Sequence, residues 1–103
     1  MVSAVTVGEL VYGLNVPDPV ERHARAERYY GMLATFEVLP FDVTAASFYG
    51  TLAAVVRDGG RNPRPRRVDL QIAATAVANS VQLATRNPAD FVGLERLLTV
   101  AAL

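Results

Sequence analysis

Short apolar, β-friendly segments alternate with helix-start signals along this chain, and that alternation admits few folds. Val2 to Val5 is the first such segment. Thr6-Val7-Gly8-Glu9 follows it, with glutamate three residues after threonine. That pairing satisfies the free N–H groups at a helix start. The helix it opens carries Leu10, Val11 and Leu14 on its apolar side. Asp18-Pro19-Val20-Glu21 opens a second helix, with proline at its first position. Its apolar face takes Val20, Ala24, Tyr29, Leu33 and Phe36, while Glu21, Arg22, Arg25 and Arg28 turn toward water. Glu37 to Phe41 reads as a strand. Asp42 caps a third helix, with Ala45, Phe48, Tyr49, Leu52 and Val56 inward and Gly59-Gly60 at its end. Arg61 to Arg67 is a loop broken by Pro63 and Pro65. A fourth helix runs from about Val68 to Asn79, Gln82 to Thr85 is a strand, Asn87-Pro88 turns the chain, and Leu97 to Leu103 is a last strand. This order predicts an α/β fold with a parallel sheet and right-handed crossovers.

The 103 residues suffice for one domain spanning 1–103. A hydrophobic content of 51% is enough to fill a core. The formal net charge is +0, so no global charge marks a nucleic-acid or membrane partner. Every basic residue is arginine, which suits bidentate phosphate contacts and equally suits a GC-rich genome. With no cysteine, disulfides and thiolate metal sites are excluded. No apolar run approaches the ~20 residues of a membrane span, and no leader pattern is read at the N-terminus. The expectation is a cytoplasmic protein without membrane contact.

In parallel α/β sheets, ligands collect at the carboxyl ends of the strands. Glu9, Asp69 and Asp90 fall at strand–helix junctions or helix starts. Each has a structural reading as well: Glu9 as the third residue of a helix start, Asp69 as a cap or first-turn carboxylate, Asp90 as a turn residue. Asp18 and Asp42 are assigned to capping alone, and His23 to a solvated helix face. Carboxylates converging at one sheet edge repel one another unless a cation lies among them. Oxygen donors with no thiolate and no histidine pair point to Mg²⁺ or Mn²⁺.

Ser3-Ala4-Val5-Thr6-Val7-Gly8-Glu9-Leu10 with Tyr12-Gly13, Val38-Leu39-Pro40-Phe41-Asp42, Tyr49-Gly50-Thr51-Leu52, Asp69-Leu70-Gln71-Ile72-Ala73-Ala74-Thr75-Ala76 and Thr85-Arg86-Asn87-Pro88-Ala89-Asp90-Phe91 occur in that order. These blocks resemble PIN-domain ribonucleases, particularly VapC-type toxins of toxin–antitoxin pairs, over nearly the whole chain. The resemblance implies a PIN-like three-layer α/β fold, a parallel sheet flanked by helices. It implies a metal-dependent endoribonuclease that hydrolyses RNA phosphodiesters, with Mg²⁺ or Mn²⁺ held by Glu9, Asp69 and Asp90. Thr85 and Asn87 correspond to polar residues flanking that site. Asp69 is then expected both to cap its helix and to face the metal.

One departure accompanies the likeness. The family's first strand, with its first acid, has no counterpart, so the resemblance implies an N-terminally truncated domain. Its remaining strand edges invite self-association, and its activity is expected to be weak until a strand with an aspartate is restored upstream. The arginines Arg57, Arg61, Arg64, Arg66 and Arg67, with Arg86, are candidates for holding RNA phosphates, or belong to a solvated loop. As partners the resemblance implies RNA, a VapB-type antitoxin and a second copy in a homodimer. The alternative is a truncated, inactive PIN-like protein that only dimerises or binds antitoxin.

Overall fold

Ser3, rather than Thr6, opens the first helix. In the computed structural model, which describes all residues Met1–Leu103, Ser3 is extended and its Oγ accepts the Val5 N–H at 3.1 Å. Strand β1 is therefore only Val2–Ser3, and helix α1 runs Ala4–Tyr12. Both the longer strand to Val5 and the Thr6–Glu9 helix start are corrected. An earlier serine already satisfies the helix end, so Thr6 lies within the helix and Glu9 sits in its middle.

The chain divides into two compact units, Met1–Pro40 and Phe41–Leu103. In the first, β1 pairs in parallel with β2, Val38–Leu39, in the register Val2 to Val38 and Ser3 to Leu39. The Val2 N–H donates to Glu37 O at 2.8 Å. Strand β2 is shorter than the expected Glu37 to Phe41. Helix α2, Pro19–Thr35, starts as its sequence predicts: Asp18 Oδ1 accepts the Val20 N–H at 3.1 Å, with Pro19 at the first position. Arg25 ties α2 to the end of α1, donating through Nη1 to Gly13 O and through Nε to Glu21 Oε1, each at 2.9 Å. The inward apolar face expected of α2 is not found. The helix buries no residue, and Val20 is 77% exposed, Phe36 47% and Leu33 37%. A two-stranded sheet offers this small unit too little second layer to cover a long helix.

The second unit holds the core. Asp42 Oδ1 accepts the Ala45 N–H at 2.9 Å and opens α3, Val43–Asp58. Gly60, at φ +85°, takes the left-handed conformation that ends it. A 3-10 turn at Arg64–Arg66 occupies the expected loop, and α4 begins at Arg67 and ends at Ala78. Helices α3 and α4 pack on each other through Leu52, Val56, Leu70, Ala73 and Ala74, with Phe91, Leu94 and Leu98 completing the cluster. Ala73 and Ala74 are fully buried and place little bulk between the helices. The buried Thr75 hydroxyl donates to Gln71 O at 2.9 Å, so a polar group enters the core without loss.

Strand β3, Leu83–Thr85, runs parallel to β4, Val100–Ala102. The last strand is shorter than Leu97 to Leu103. Leu98 instead closes a turn, its N–H donating to Leu94 O at 2.9 Å, and that turn buries Leu94 and Leu98. Parallel pairing is as expected, but the strands form two separate pairs, β1 with β2 and β3 with β4. No helix is long and apolar enough to cross a membrane.

The Asp42 cap gives a first expected result. Asp42→Ala removes the acceptor for the Ala45 N–H and should cost ~0.5–2 kcal/mol, whereas Asp42→Asn should stay within a few tenths of the parent. Urea unfolding followed by circular dichroism separates the two.

Candidate functional site

The N-terminal end of α4 carries Asp69 and, through Arg66, contacts Asp90. Asp69 is in its first turn, exposed, and its carboxylate accepts no hydrogen bond. The helix has no side-chain cap; Arg66 stands at the cap position. Asp69 is therefore not a cap, which corrects half of the double role expected for it. What remains structurally is a favourable charge at the helix start, ~0.3–1 kcal/mol at most.

Asp90 is held in place from both sides. Thr85, at the end of β3, accepts the Asn87 N–H on its Oγ1 at 3.0 Å, and Asn87 O accepts the Asp90 N–H at 3.0 Å. Proline at 88 then starts the short 3-10 turn Pro88–Phe91. Just before α4, Arg66 Nη1 donates to the main-chain O of Asp90, and Nη2 lies 3.5 Å from Asp90 Oδ1. Arg66, at the cap position of α4, thus holds the turn that carries Asp90 near the start of the helix that bears Asp69. Phe91, next in sequence, is buried in the core and anchors the turn from within. Thr85 and Asn87 flank the site as expected, and their visible work is to shape the turn.

The arginines divide into three groups. Arg61 Nη2 donates to Val92 O at 2.9 Å, so Arg61 and Arg66 both clamp the segment around Asp90. Arg57 lies 3.4 Å from Asp58. The guanidinium groups of Arg64, Arg67 and Arg86 form no hydrogen bond or ion pair and stand exposed. Only Arg64, Arg67 and Arg86 are free to take a phosphate without breaking a contact.

Glu9 belongs to the first unit. Its carboxylate is exposed and lines a cleft of about 400 Å³ together with Leu10, Gly13, Glu21, Arg25 and Arg28. The sequence reading missed this cleft, although Glu21, Arg25 and Arg28 are spaced to share one helix face. His23 is exposed and pairs with Glu27 at 3.1 Å, as a solvated residue should.

Within either unit, no three carboxylates or imidazoles lie together in a way that would hold a metal. The donor set at α4 nevertheless suits one kind of ion. Asp69, exposed, and Asp90, half-exposed, offer hard oxygens. Mg²⁺ keeps several waters and is commonly held by one or two carboxylates plus substrate phosphate. Asp69 and Asp90 would hold such an ion there.

Residues 1–95 match the PIN domain family. The VapC ribonuclease Y4jK of Sinorhizobium fredii is 37% identical over 93 residues, covering 86% of this chain and 65% of that protein. The chain thus spans 65% of the length of that curated relative. Among solved structures, it resembles VapBC-5 of Mycobacterium tuberculosis, a member of the VapBC family of toxin–antitoxin systems. The TM-score is 0.81 at 28% identity, over 98% of this chain and 78% of that one. FitAcB of Neisseria gonorrhoeae gives a TM-score of 0.79 at 29% identity, over 95% and 70% of the two chains. VapBC-1 of nontypeable Haemophilus influenzae, at 22% identity and a TM-score of 0.82, shares the fold.

Proposed function

Since the chain belongs to the PIN-domain family, we propose that it is a Mg²⁺- or Mn²⁺-dependent endoribonuclease, the toxin of a toxin–antitoxin pair. The observation that carries this reading is the corner at α4. One carboxylate, Asp69, caps nothing and accepts no hydrogen bond. A second, Asp90, lies in a turn shaped by Thr85 and Asn87 and bonded to Arg66, the residue at the cap position of the same helix. A VapB-type antitoxin as partner is supported by the VapBC complexes among the structural neighbours. A homodimer and a cytoplasmic setting complete the proposal.

When bound, a divalent ion supplies an activated water and offsets charge developing on phosphate oxygens. The protein's own residues prepare that step. Asp69 and Asp90 present oxygen ligands, and Glu9 is proposed as a ligand from the family likeness alone. The turn around Asp90 is rigid, because hydrogen bonds hold its N–H and its C=O, so the carboxylate starts from a defined position. Arg64, Arg67 and Arg86 draw the RNA backbone to this end of the unit. Arg61 and Arg66 are assigned to holding the turn, and Arg57 is left to its contact with Asp58.

The test is incubation of the chain with single-stranded RNA, with Mg²⁺ or Mn²⁺ and with a chelator. Cleavage that requires the ion and is lost on chelation supports the reading. Equal cleavage in the chelator overturns the metal dependence. No cleavage with retained antitoxin binding favours a protein that binds without cutting.

A further inference from the structure

Helix α2 is the longest in the chain and buries no residue, and α1 buries none either. Within Met1–Pro40 the buried residues are Ser3 and Leu39, both on the β1–β2 pair. Those strands are two residues each, and a lone two-stranded pair is marginal in water. What holds the helices is local: the Ser3 and Asp18 caps, the Glu21–Arg25 pair, and the bond from Arg25 Nη1 to Gly13 O. Most helical stability in proteins comes from packing an apolar face, and Val20 and Tyr30 of α2 and Tyr12 of α1 stand largely exposed. Phe41–Leu103 is built differently. Every residue of the buried cluster, from Leu52 to Leu98, belongs to it.

We propose that Met1–Pro40 is a conditionally ordered unit, one that opens and closes while Phe41–Leu103 stays folded. Parts of one chain open separately when few buried contacts hold one and many hold the other. Opening withdraws Glu9 and the cleft it lines, because that cleft is built from α1, Gly13 and α2. It leaves Asp69 and Asp90 placed, because Leu70, beside Asp69, and Phe91, beside Asp90, are both in the buried cluster. The device is regulatory. A molecule that binds only the closed form of Met1–Pro40 shifts the unit toward order by mass action. Its apparent affinity is lowered by the fraction of the time the unit is open. Neither half of the proposal depends on whether the chain cuts RNA.

The experiment is amide hydrogen exchange of the full chain, followed residue by residue by NMR. Amides of α1 and α2 should be slowed no more than ~10²-fold relative to an unstructured chain, and interior amides of α3 and α4 at least ~10³-fold, the range set by global unfolding. Leu52→Ala should cut the protection of α3 and α4 by at least ~10-fold and leave that of α1 and α2 unchanged. Arg25→Gln works from the other side. It removes the bonds to Gly13 O and Glu21, and should bring α1 and α2 toward the unstructured rate with α3 and α4 unchanged. It remains decisive where Leu52→Ala fails to fold. Equal protection across α1 to α4 in the parent overturns the proposal, because the chain then opens as one body, and it leaves the ribonuclease reading intact. A substitution in one unit that changes the protection of both by the same factor overturns it as well.

Discussion

Asp69→Asn should leave the protein folded and reduce metal-dependent RNA cleavage by at least ~10²-fold, the scale of loss when a reacting group is misplaced. The two halves of that expectation have separate causes. Asp69 accepts no backbone N–H, so asparagine takes away no cap. Only a charge in the first turn of α4 is lost, ~0.3–1 kcal/mol on a solvated helix end. For a domain of this size, 1 kcal/mol moves the melting temperature by about 4–8 °C, which bounds the shift. The effect on the ion is larger, because one of the two carboxylates at this corner becomes a neutral amide and the hard cation keeps mainly Asp90. Thermal unfolding and RNA cleavage should be measured on the same preparation, with Mn²⁺ titrated calorimetrically in the absence of RNA. The titration gives a readout even where cleavage is weak. A folded variant that binds Mn²⁺ and cuts RNA like the parent would mean that Asp69 is no ligand, and the proposed site would fall.

A second large effect is expected far from that site. Leu52 is completely buried where α3 packs on α4. Leu52→Ala should cost ~2–5 kcal/mol, the transfer term plus the cavity left behind. Domains of this kind carry only about 5–15 kcal/mol in total, so the loss is a large share and the melting temperature should fall by roughly 10 °C or more. The neighbours offer little relief. Ala73 and Ala74 are already the smallest side chains that can line the gap, and Phe91 is pinned by the turn that carries Asp90. Loosening Phe91 should in turn loosen Asp90, so weaker Mn²⁺ binding is expected to accompany the lower stability. Val55→Ala is the control. It lies on the same helix but is 39% exposed, and should change stability by no more than about 0.5 kcal/mol. Equal losses from the two substitutions would show that the α3–α4 contact is not the tight core described.

Local chemistry determined much of this protein. Asp18 followed by proline, and Asp42 ahead of an apolar period, open α2 and α3 where the sequence says they should. The reason is short range: a side-chain oxygen bonds an N–H two or three residues on, whatever the rest of the chain does. The inward residues of α3 and the small-residue face of α4 were legible for a similar reason, since helical period alone puts them on one side. The ordered blocks also point to the PIN-domain family. Competition between neighbouring signals was not legible. Ser3 and Thr6 can both open a helix, and the backbone settled on Ser3 because Val2 and Ser3 pair with Val38 and Leu39, a contact far along the chain. The same limit explains α2, whose apolar residues form a face but bury nothing, because burial needs a partner layer and not only a pattern. Most of all, tertiary structure sorted the acids and arginines. Asp69 was freed from capping because Arg66 occupies the cap position. Arg61 and Arg66 donate to main-chain oxygens of Val92 and Asp90 and so hold the turn, contacts 31 and 24 residues apart in sequence. A sequence states which charges exist. Which of them remain unspent depends on distances of a few ångströms between residues many positions apart.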